Sequence, residues 1–353
     1  RDKTPLAKPV TNYPAAIRLS HRNIYNSPDY EKRRFQKPLH FLQSHFYVSP
    51  LWTLAILEEE GNFSSSIFEE PVAYNWVIFN KPLFFSYGLF KKDVVFYGAY
   101  FNDFTDFYRT QFKENTSFNT ARFKDKAVFS SAQFYASASF SHARFDGTSD
   151  FSEATFFQKA DFSHVVFNGP VDWRGTTFAQ ALNLNSSEFN APVFFNQATM
   201  PDYLDLSNVT KIKGIIDLTH VKKAIGNGRC KLNLIGSDIN KIRFRSNEFV
   251  LTFPEGTPAA DVKFVYESVL TMLENNGFDA SYRDTMIAYK QYQYALDGRV
   301  ATNLLQKHGW DYGFDPERIF TWIFMILLLF TSINAIFYRQ LVEKVMDVAF
   351  LKR

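Results

Sequence analysis

Large apolar residues recur from Phe63 to Leu206 at alternating steps of five and six residues. One step of five residues and one step of six residues together form the repeat unit, and each unit contains two large apolar residues. Small or β-branched residues, such as Ala121 and Ala132, stand two positions before many of them, and polar turn-forming residues fill the gaps. The central part of this Phe ladder comprises Phe96, Phe101, Phe107, Phe112, Phe118, Phe123, Phe129, Phe134, Phe140, Phe145, Phe151, Phe156, Phe162 and Phe167.

Neither an α-helix nor a plain strand can use this spacing. Five residues advance a helix by about 140° net, so successive Phe would lie on different faces. A strand alternates its faces with a period of two, so a step of five reverses the side on which the next Phe lies. A chain that turns a corner every five or six residues does fit, with one large residue pointing inward from each short side. The ladder is therefore interpreted as core.

Two stretches of the ladder resemble a known family. The sequences ARFKDKAVFSSAQFYASASFSHARF (121–145) and SEATFFQKADFSHVVF (152–167) resemble pentapeptide-repeat proteins, in the Phe-centred A-x-F subclass. The resemblance implies a mainly β fold, a right-handed quadrilateral β-helix with about 22 residues per coil. The 63–206 tract then makes roughly six and a half coils, about 30 Å long at the usual strand spacing.

The flanking segments are assigned by contrast with the ladder. Residues 1–61 are predicted to form a basic N-terminal arm and a cap on the first coil, ahead of a β-helix at 62–206. Either the basic part packs along the β-helix as a solvated arm, or it docks onto an acidic partner or a lipid surface. Residues 207–256 keep apolar alternation without Phe, which predicts irregular β coils.

The C-terminal part changes to helical spacing. Residues 257–310 are predicted to form a helical hairpin and a linker, with a stop signal in the NNG run at 275–277 and a second helix over about 279–296. The hairpin is expected to cover the open end of the β-helix. Residues 311–353 are expected to hold a membrane helix and a short cytoplasmic tail.

The membrane helix is predicted at about 319–338, because these 20 residues carry no charge and match the thickness of a bilayer core. Its anchors are expected to be Arg318, Trp322, Tyr338 and Arg339. The stretches VYESVLTML, GFDASY and HGWDYGFDPERIF resemble segments that join repeats to membrane in membrane-linked pentapeptide proteins.

Charge sets the expected topology. Basic residues follow the span more densely than they precede it, so the positive-inside rule places the C-terminus in the cytoplasm. The prediction is a single pass through the cytoplasmic (inner) membrane of a bacterium, with the β-helix in the periplasm. A chain that starts at Arg1 is interpreted as one whose signal peptide was removed or whose terminus was trimmed.

Composition narrows the chemistry. The chain contains 40 Phe, many of which belong to the ladder. Its formal net charge of +3 argues against a broad phosphate-binding surface. Its single cysteine, Cys230, cannot form an intrachain disulfide. The seven His lack the spacing of a zinc site, and no nucleophile, P-loop or dinucleotide motif is present. We therefore expect no catalytic, metal or cofactor site. The weak negative charge of the ladder makes a DNA mimic a poor interpretation, and no nucleic-acid partner is expected.

Two functions remain. The leading hypothesis is a non-enzymatic, membrane-anchored scaffold that presents a rigid β-helix to partners: membrane lipid, other proteins of a membrane complex, or a second copy of the chain. The alternative is the accessory or sensor domain of an ion-channel-like pentapeptide membrane protein, truncated here. The tail RQLVEKVMDVAFLKR carries no filter-like sequence, so on the alternative the chain continues further.

Overall fold

The computed structural model describes residues 11–13, 17–25, 29–223 and 228–350. The chain divides into two compact units, Arg1–Phe278 and Asp279–Arg353. The first unit is a solenoid of parallel strands followed by one helix, and the second unit is entirely helical in its regular structure.

The solenoid has four faces, each a parallel sheet with one strand from each coil. Face A contains Thr11–Tyr13, Arg33–Phe35, Ile56–Leu57, Ile78–Phe79, Tyr100–Phe101, Arg122–Phe123, Arg144–Phe145, Val166–Phe167, Glu188–Phe189 and Lys211–Ile212. Face B contains Ile17–Arg18, Leu39–His40, Gly61–Asn62, Leu83–Phe84, Thr105–Asp106, Ala127–Val128, Ser149–Asp150, Val171–Asp172 and Val193–Phe194.

Faces C and D complete the quadrilateral. Face C contains Asn23–Ile24, His45–Phe46, Ile67–Phe68, Leu89–Phe90, Gln111–Phe112, Gln133–Phe134, Thr155–Phe156 and Thr177–Phe178. Face D contains Val72–Ala73, Val94–Val95, Thr116–Ser117, Ala138–Ser139, Ala160–Asp161, Ala181–Asn183, Tyr203–Asp205, Cys230–Asn233 and Phe249–Leu251. A further pair, Ile216–Asp217 with Ile242–Arg243, lies beside the last coils.

The coil length predicted from the sequence is confirmed. Gln133 pairs with Thr155 and Phe134 with Phe156, and the same offset between paired strands runs through the body of the solenoid. The register lengthens near the end, where Phe189 pairs with Ile212 and Tyr203 with Lys231. The strands of these coils still pair in parallel while the spacing of the sequence becomes irregular.

Aromatic stacking fills the interior. Each ring lies over the ring one coil away: the centroids of Phe134 and Phe156 are 4.6 Å apart, with an angle of 1° between the planes. Rings half a coil apart meet edge to face across the interior, as Phe129 does with Phe140 at 5.4 Å and 88°. Both arrangements are favourable for the quadrupoles of the aromatic rings. The ladder therefore stabilises the fold by more than the burial of apolar area alone. The small residues that precede the rings, such as Ala132, are also buried.

The corners explain the alternation of the steps. Two residues after every second ladder position the backbone adopts a positive φ, as at Ser131 (56°) and His142 (60°). The amide of Ala132 donates to the carbonyl of Phe129 at 3.0 Å, so Ser131 is the third residue of a tight turn with the geometry of type II. Gly98 and Gly175 take the same place with φ of 63° and 68°. Each half-coil therefore contains one left-handed corner.

Replacing Thr120 with asparagine is expected to raise the free energy of unfolding by about 1 kcal/mol. Thr120 is exposed and has a φ of 58°, a conformation that β-branched residues disfavour and asparagine tolerates. Equilibrium denaturation followed by circular dichroism measures the change. Thr155→Asn is the control, because Thr155 lies in a strand where asparagine is disfavoured and should lower stability. Equal effects of the two variants would contradict the corner assignment.

The solenoid begins earlier than the sequence analysis predicted. Residues 1–61 were expected to be a non-repeating arm and cap, yet the described part of this range forms strands of faces A, B and C, paired in parallel with the coils that follow. The arm-and-cap prediction is therefore wrong for those residues. The longest face has ten strands, about 45 Å at the usual spacing, because strands before residue 62 and after residue 206 add to the roughly six and a half coils predicted for 63–206.

Among the described residues, four helices follow the strands: α1 (Ala259–Asn275), α2 (Asp279–Leu296), α3 (Val300–Gly309) and α4 (Glu317–Phe350). Short 3-10 turns lie at Ile239–Lys241 and Asp311–Gly313. α1 packs in the first unit against the 239–241 turn, with Val265, Val269 and Leu273 buried. α2 belongs to the second unit, where it packs with α3. The predicted linker before residue 310 is largely helical, and α4 extends well beyond 319–338.

Candidate functional site

The ladder residues singled out from the sequence all lie inside the solenoid. Each of the fourteen Phe from Phe96 to Phe167 has a side chain that is at most 1% exposed. Two further aromatic members of the ladder, Tyr74 and Trp173, are equally buried. These rings hold the coils together and do not reach the surface, so any partner must meet the outward residues of the strands and corners.

Outward residues form columns, because the same position returns in each coil. One column runs through Asn80, Asn102, Asp146, Asn168 and Asn190. The side-chain amide of Asn168 donates to Asp146 at 2.7 Å, and that of Asn190 donates to Asn168 at 3.0 Å. Such ladders of amides and carboxylates link one coil to the next.

Asp146 is the most heavily bonded residue of this column. Arg122 Nε donates to one carboxylate oxygen at 3.1 Å, and Arg144 Nε to the other at 2.7 Å. Partial burial would raise the pKa of Asp146, but the hydrogen bonds from Asn168, Arg122 and Arg144 outweigh it and leave the pKa below the ordinary value of 3.8. The ionised carboxylate is thus favoured by the folded state.

Asp146→Asn is expected to lower the free energy of unfolding at pH 7 by about 1–2 kcal/mol, because hydrogen bonds to a charged group stabilise the fold and solvent screens part of this effect at a partly exposed site. Because the folded pKa is depressed, this stabilisation is fully present above the unfolded pKa and is lost as pH falls through the folded pKa. The gap between wild type and variant should therefore shrink below about pH 4. Denaturation at pH 7 and pH 3 tests this, with the exposed Asp125→Asn as control. A gap that does not change with pH would contradict the assignment.

Exposed aromatic and cationic side chains gather at one corner. The rings of Tyr87 and Tyr108 meet edge to face at 5.4 Å, and the Arg109 guanidinium lies 5.2 Å from the Tyr108 centroid and 5.9 Å from that of Tyr87. Tyr87 is 54% exposed. We call these three residues the Tyr-Arg corner. Tyrosine and arginine are enriched among the residues that dominate binding at protein interfaces.

A second exposed group lies on face C. Lys113 Nζ is 3.5 Å from the centroid of Tyr135, whose ring stacks on Phe157 at 4.8 Å. Phe157 is 41% exposed. The three residues occupy one column on successive coils, because they follow the ladder residues Phe112, Phe134 and Phe156. This column offers a flat apolar strip with a cation at one end.

Two buried titratable groups, Cys230 and Tyr74, lie in the interior of the solenoid. Cys230 is buried, and desolvation raises its pKa to about 12, so it is a neutral thiol at pH 7. Tyr74 is fully buried, and desolvation raises the pKa of its hydroxyl well above 10. Among the described residues there is no group of three or more His, Cys, Asp or Glu that could hold a metal ion.

The predicted anchor residues all lie on α4. Arg318, in the first turn, pairs with Asp315 at 2.7 Å, and Arg339 pairs with Glu343 at 3.4 Å. The ring of Trp322 is half exposed, while Tyr338 is 73% exposed. Residues Glu317–Val345 form a 29-residue helix that is apolar and long enough to cross a membrane, and none of its most apolar stretch is buried.

Sequence reasoning missed α3, the helix between the predicted hairpin and the predicted span. Its residues Leu304 and Leu305 are exposed, and Asn303 on its other side accepts a hydrogen bond from the hydroxyl of the buried Tyr312. The signal in the sequence was the apolar pair Leu304-Leu305 with Val300 and Leu296 one and two turns earlier. That pattern was visible, but it does not say which side faces the protein.

Residues 129–177 match the family model for pentapeptide repeats, in its nine-copy form. Together with the four-sided solenoid and its stacked Phe ladder, this match confirms the predicted resemblance: the solenoid contains pentapeptide repeats. Searches of curated proteins and of solved structures each found no match.

Proposed function

We propose that this protein is a non-enzymatic, membrane-anchored scaffold that presents its pentapeptide-repeat solenoid to protein partners. The observation that carries the proposal is α4, which exposes an apolar surface long enough to span a bilayer on a chain whose other main element is a rigid solenoid. Exposed leucine, isoleucine and phenylalanine over this length would be unfavourable in water by roughly 25 cal/mol for each square ångström. Burial in lipid removes that cost.

The solenoid suits recognition because its outward side chains are held in fixed columns by the stacked core. Rigid presentation lowers the entropy lost on binding. We assign the partner surface to the Tyr-Arg corner, where two tyrosines and one arginine are already packed against one another. Binding by a second copy of the chain, or by another protein of a membrane complex, would use the same corner.

Membrane fractionation of the full chain tests the anchor. The protein should remain with membranes after extraction at alkaline pH, and a variant with three charges in the span, Leu327→Arg, Leu328→Arg and Leu329→Arg, should be released. The matched control places arginine at three exposed solenoid positions, Asn115, Gln158 and Gln197. Release of the unmodified chain would overturn the proposal of an integral anchor.

Pull-down from detergent-solubilised membranes tests the partner surface. Tyr87→Ala with Arg109→Ala should remove the captured proteins, since the corner loses two of its three side chains. Lys113→Ala with Phe157→Ala is the matched control on another face. Loss with the control pair and retention with the corner pair would move the partner surface to face C.

The side of the membrane is also part of the proposal. Positive-inside bias after the span supports a cytoplasmic C-terminus and a periplasmic solenoid in the inner membrane of a bacterium. Protease added to spheroplasts should then degrade the solenoid, whereas full protection would place it in the cytoplasm. On the alternative hypothesis, this chain is the accessory or sensor domain of an ion-channel-like protein. That hypothesis stays a prediction.

A further inference from the structure

α3 is a short helix with no buried side chain. Its residue Asn303 faces the protein and accepts a hydrogen bond from the hydroxyl of Tyr312, which is 2% exposed. Its apolar residues face outward: Val300 is 65% exposed, Leu304 53% and Leu305 67%. Exposed valine and leucine side chains on one side of a helix favour an apolar environment on that side.

The exposed leucines border a groove between α3 and the first turns of α4. The groove has a volume of about 400 Å³ and is lined by apolar side chains, among them Leu304, Leu305, Trp310, Ile319, Trp322 and Ile326. Trp322 Nε1 donates to the carbonyl of His308 at 2.9 Å, which fastens the end of α3 to α4. The two helices therefore form one wall, and the groove opens on the apolar surface that α4 already exposes.

The surroundings point to a lipid as the occupant. The groove is continuous with the candidate span Glu317–Val345, so what covers the span also reaches the groove. Its two indoles, Trp310 and Trp322, are the side chains that favour the boundary between headgroups and acyl chains. The exposed cation Lys307 is next to the lining residue His308 in the sequence, and a cation at this place favours a phosphate-bearing headgroup.

We propose that α3 lies in the interfacial layer of the bilayer and that the groove holds an acyl chain of a membrane phospholipid. This inference rests on the proposed membrane anchor and adds to it a second contact, parallel to the surface. A single helix leaves a protein free to rotate about its axis and to tilt, whereas an interfacial helix joined to its base limits both motions. The site would set the orientation of the second unit on the membrane.

The full chain, reconstituted in phosphatidylcholine vesicles, provides the test. The native Cys230 is buried with a pKa of about 12, so a nitroxide reagent labels introduced cysteines selectively. Labels at L305C, at F330C in the span and at F264C on α1 are compared for collision with oxygen and with a water-soluble nickel chelate. We expect L305C to resemble F330C, with high oxygen and low nickel accessibility, and the exposed F264C to resemble water.

The occupant is tested by fluorescence, without any label on the protein. The emission of Trp310 is the difference in fluorescence between wild type and Trp310→Phe. Vesicles that contain phosphatidylcholine with a doxyl group on its acyl chain should quench most of this emission. The same vesicles without doxyl are the control. This second measurement keeps the proposal testable if L305C fails to fold.

The outcomes separate the groove from the anchor. Water-like accessibility at L305C with lipid-like accessibility at F330C, or an unquenched Trp310, overturns the groove and leaves the anchor standing. Water-like accessibility at both positions overturns both. Spin–spin broadening at L305C without quenching of Trp310 would mean that a second copy of the chain covers the groove, which also overturns the lipid assignment.

Discussion

Replacing Phe134 with alanine is expected to lower the free energy of unfolding by about 3–5 kcal/mol. Phe134 lies between Phe112, at 4.9 Å, and Phe156, at 4.6 Å, and its side chain is 1% exposed. Removing the ring leaves a cavity in a one-dimensional stack, where neighbouring coils are fixed by strand pairing and cannot close it. Denaturant unfolding monitored by circular dichroism gives the difference.

Lys126→Ala is the matched control for Phe134→Ala. Lys126 is exposed at a corner shortly before Phe134 in the sequence. Its substitution should change the free energy of unfolding by no more than about 0.5 kcal/mol. If the two variants cost the same, the stacked rings would not be the main source of stability. A small cost at Phe134 alone would mean that the coils rearrange around the cavity.

Val269→Asp should destabilise the first unit by about 4 kcal/mol or more, because it places a carboxylate in a fully buried position without a partner. Val269 lies on the face of α1 that packs on the end of the solenoid, where the Phe253 ring also contacts Tyr266 at 5.6 Å. Release of α1 would uncover the last strands, including Phe249–Leu251, whose free edge can pair with another chain. Size-exclusion chromatography should therefore show aggregates.

Phe264→Asp is the control on the same helix. Phe264 is 60% exposed on the opposite side of α1, so the same carboxylate there should leave the protein stable and monomeric. A Val269→Asp variant that remains folded and monomeric would contradict the role of α1 as a cap. Aggregation of both variants would indicate that charge on α1, and not exposure of the solenoid end, is responsible.

The interior of the solenoid could be predicted from the sequence because one-dimensional stacking repeats the same requirement in every coil. Phe fits each inward position, and the alternating steps follow from one tight corner and one wider corner per half-coil. The start of the solenoid was missed even though the steps continue upstream, through Tyr30, Phe35, Phe41, Phe46, Trp52 and Leu57. Basic residues beside these positions, such as Lys32 and Arg34, suggested a solvated arm, but they are the exposed residues of coils whose rings are buried.

The C-terminal boundaries were harder to predict for a different physical reason. Beyond Phe189 the register of pairing varies from coil to coil, so periodicity no longer identifies the inward residues. The grouping of α1 with the solenoid and of α2 with α3 depends on tertiary packing. Likewise, the spacing of Leu304 and Leu305 identifies a helix face, but only the hydrogen bond between Tyr312 and Asn303 shows which side is turned inward.

The left-handed corners restrict the changes of length that the body of the solenoid can accept. One such corner returns in every half-coil, so a full coil contains two of them. Loss or gain of one or two residues within a strand would put a ring outside and a polar residue inside in that coil, whereas the longer coils beyond Phe189 still pair their strands. Duplication of a whole coil, such as residues 121–142, would preserve both corners and all four faces. The height of the solenoid can therefore be altered in steps of one coil, about 4.8 Å each, while its cross-section and its ends stay the same.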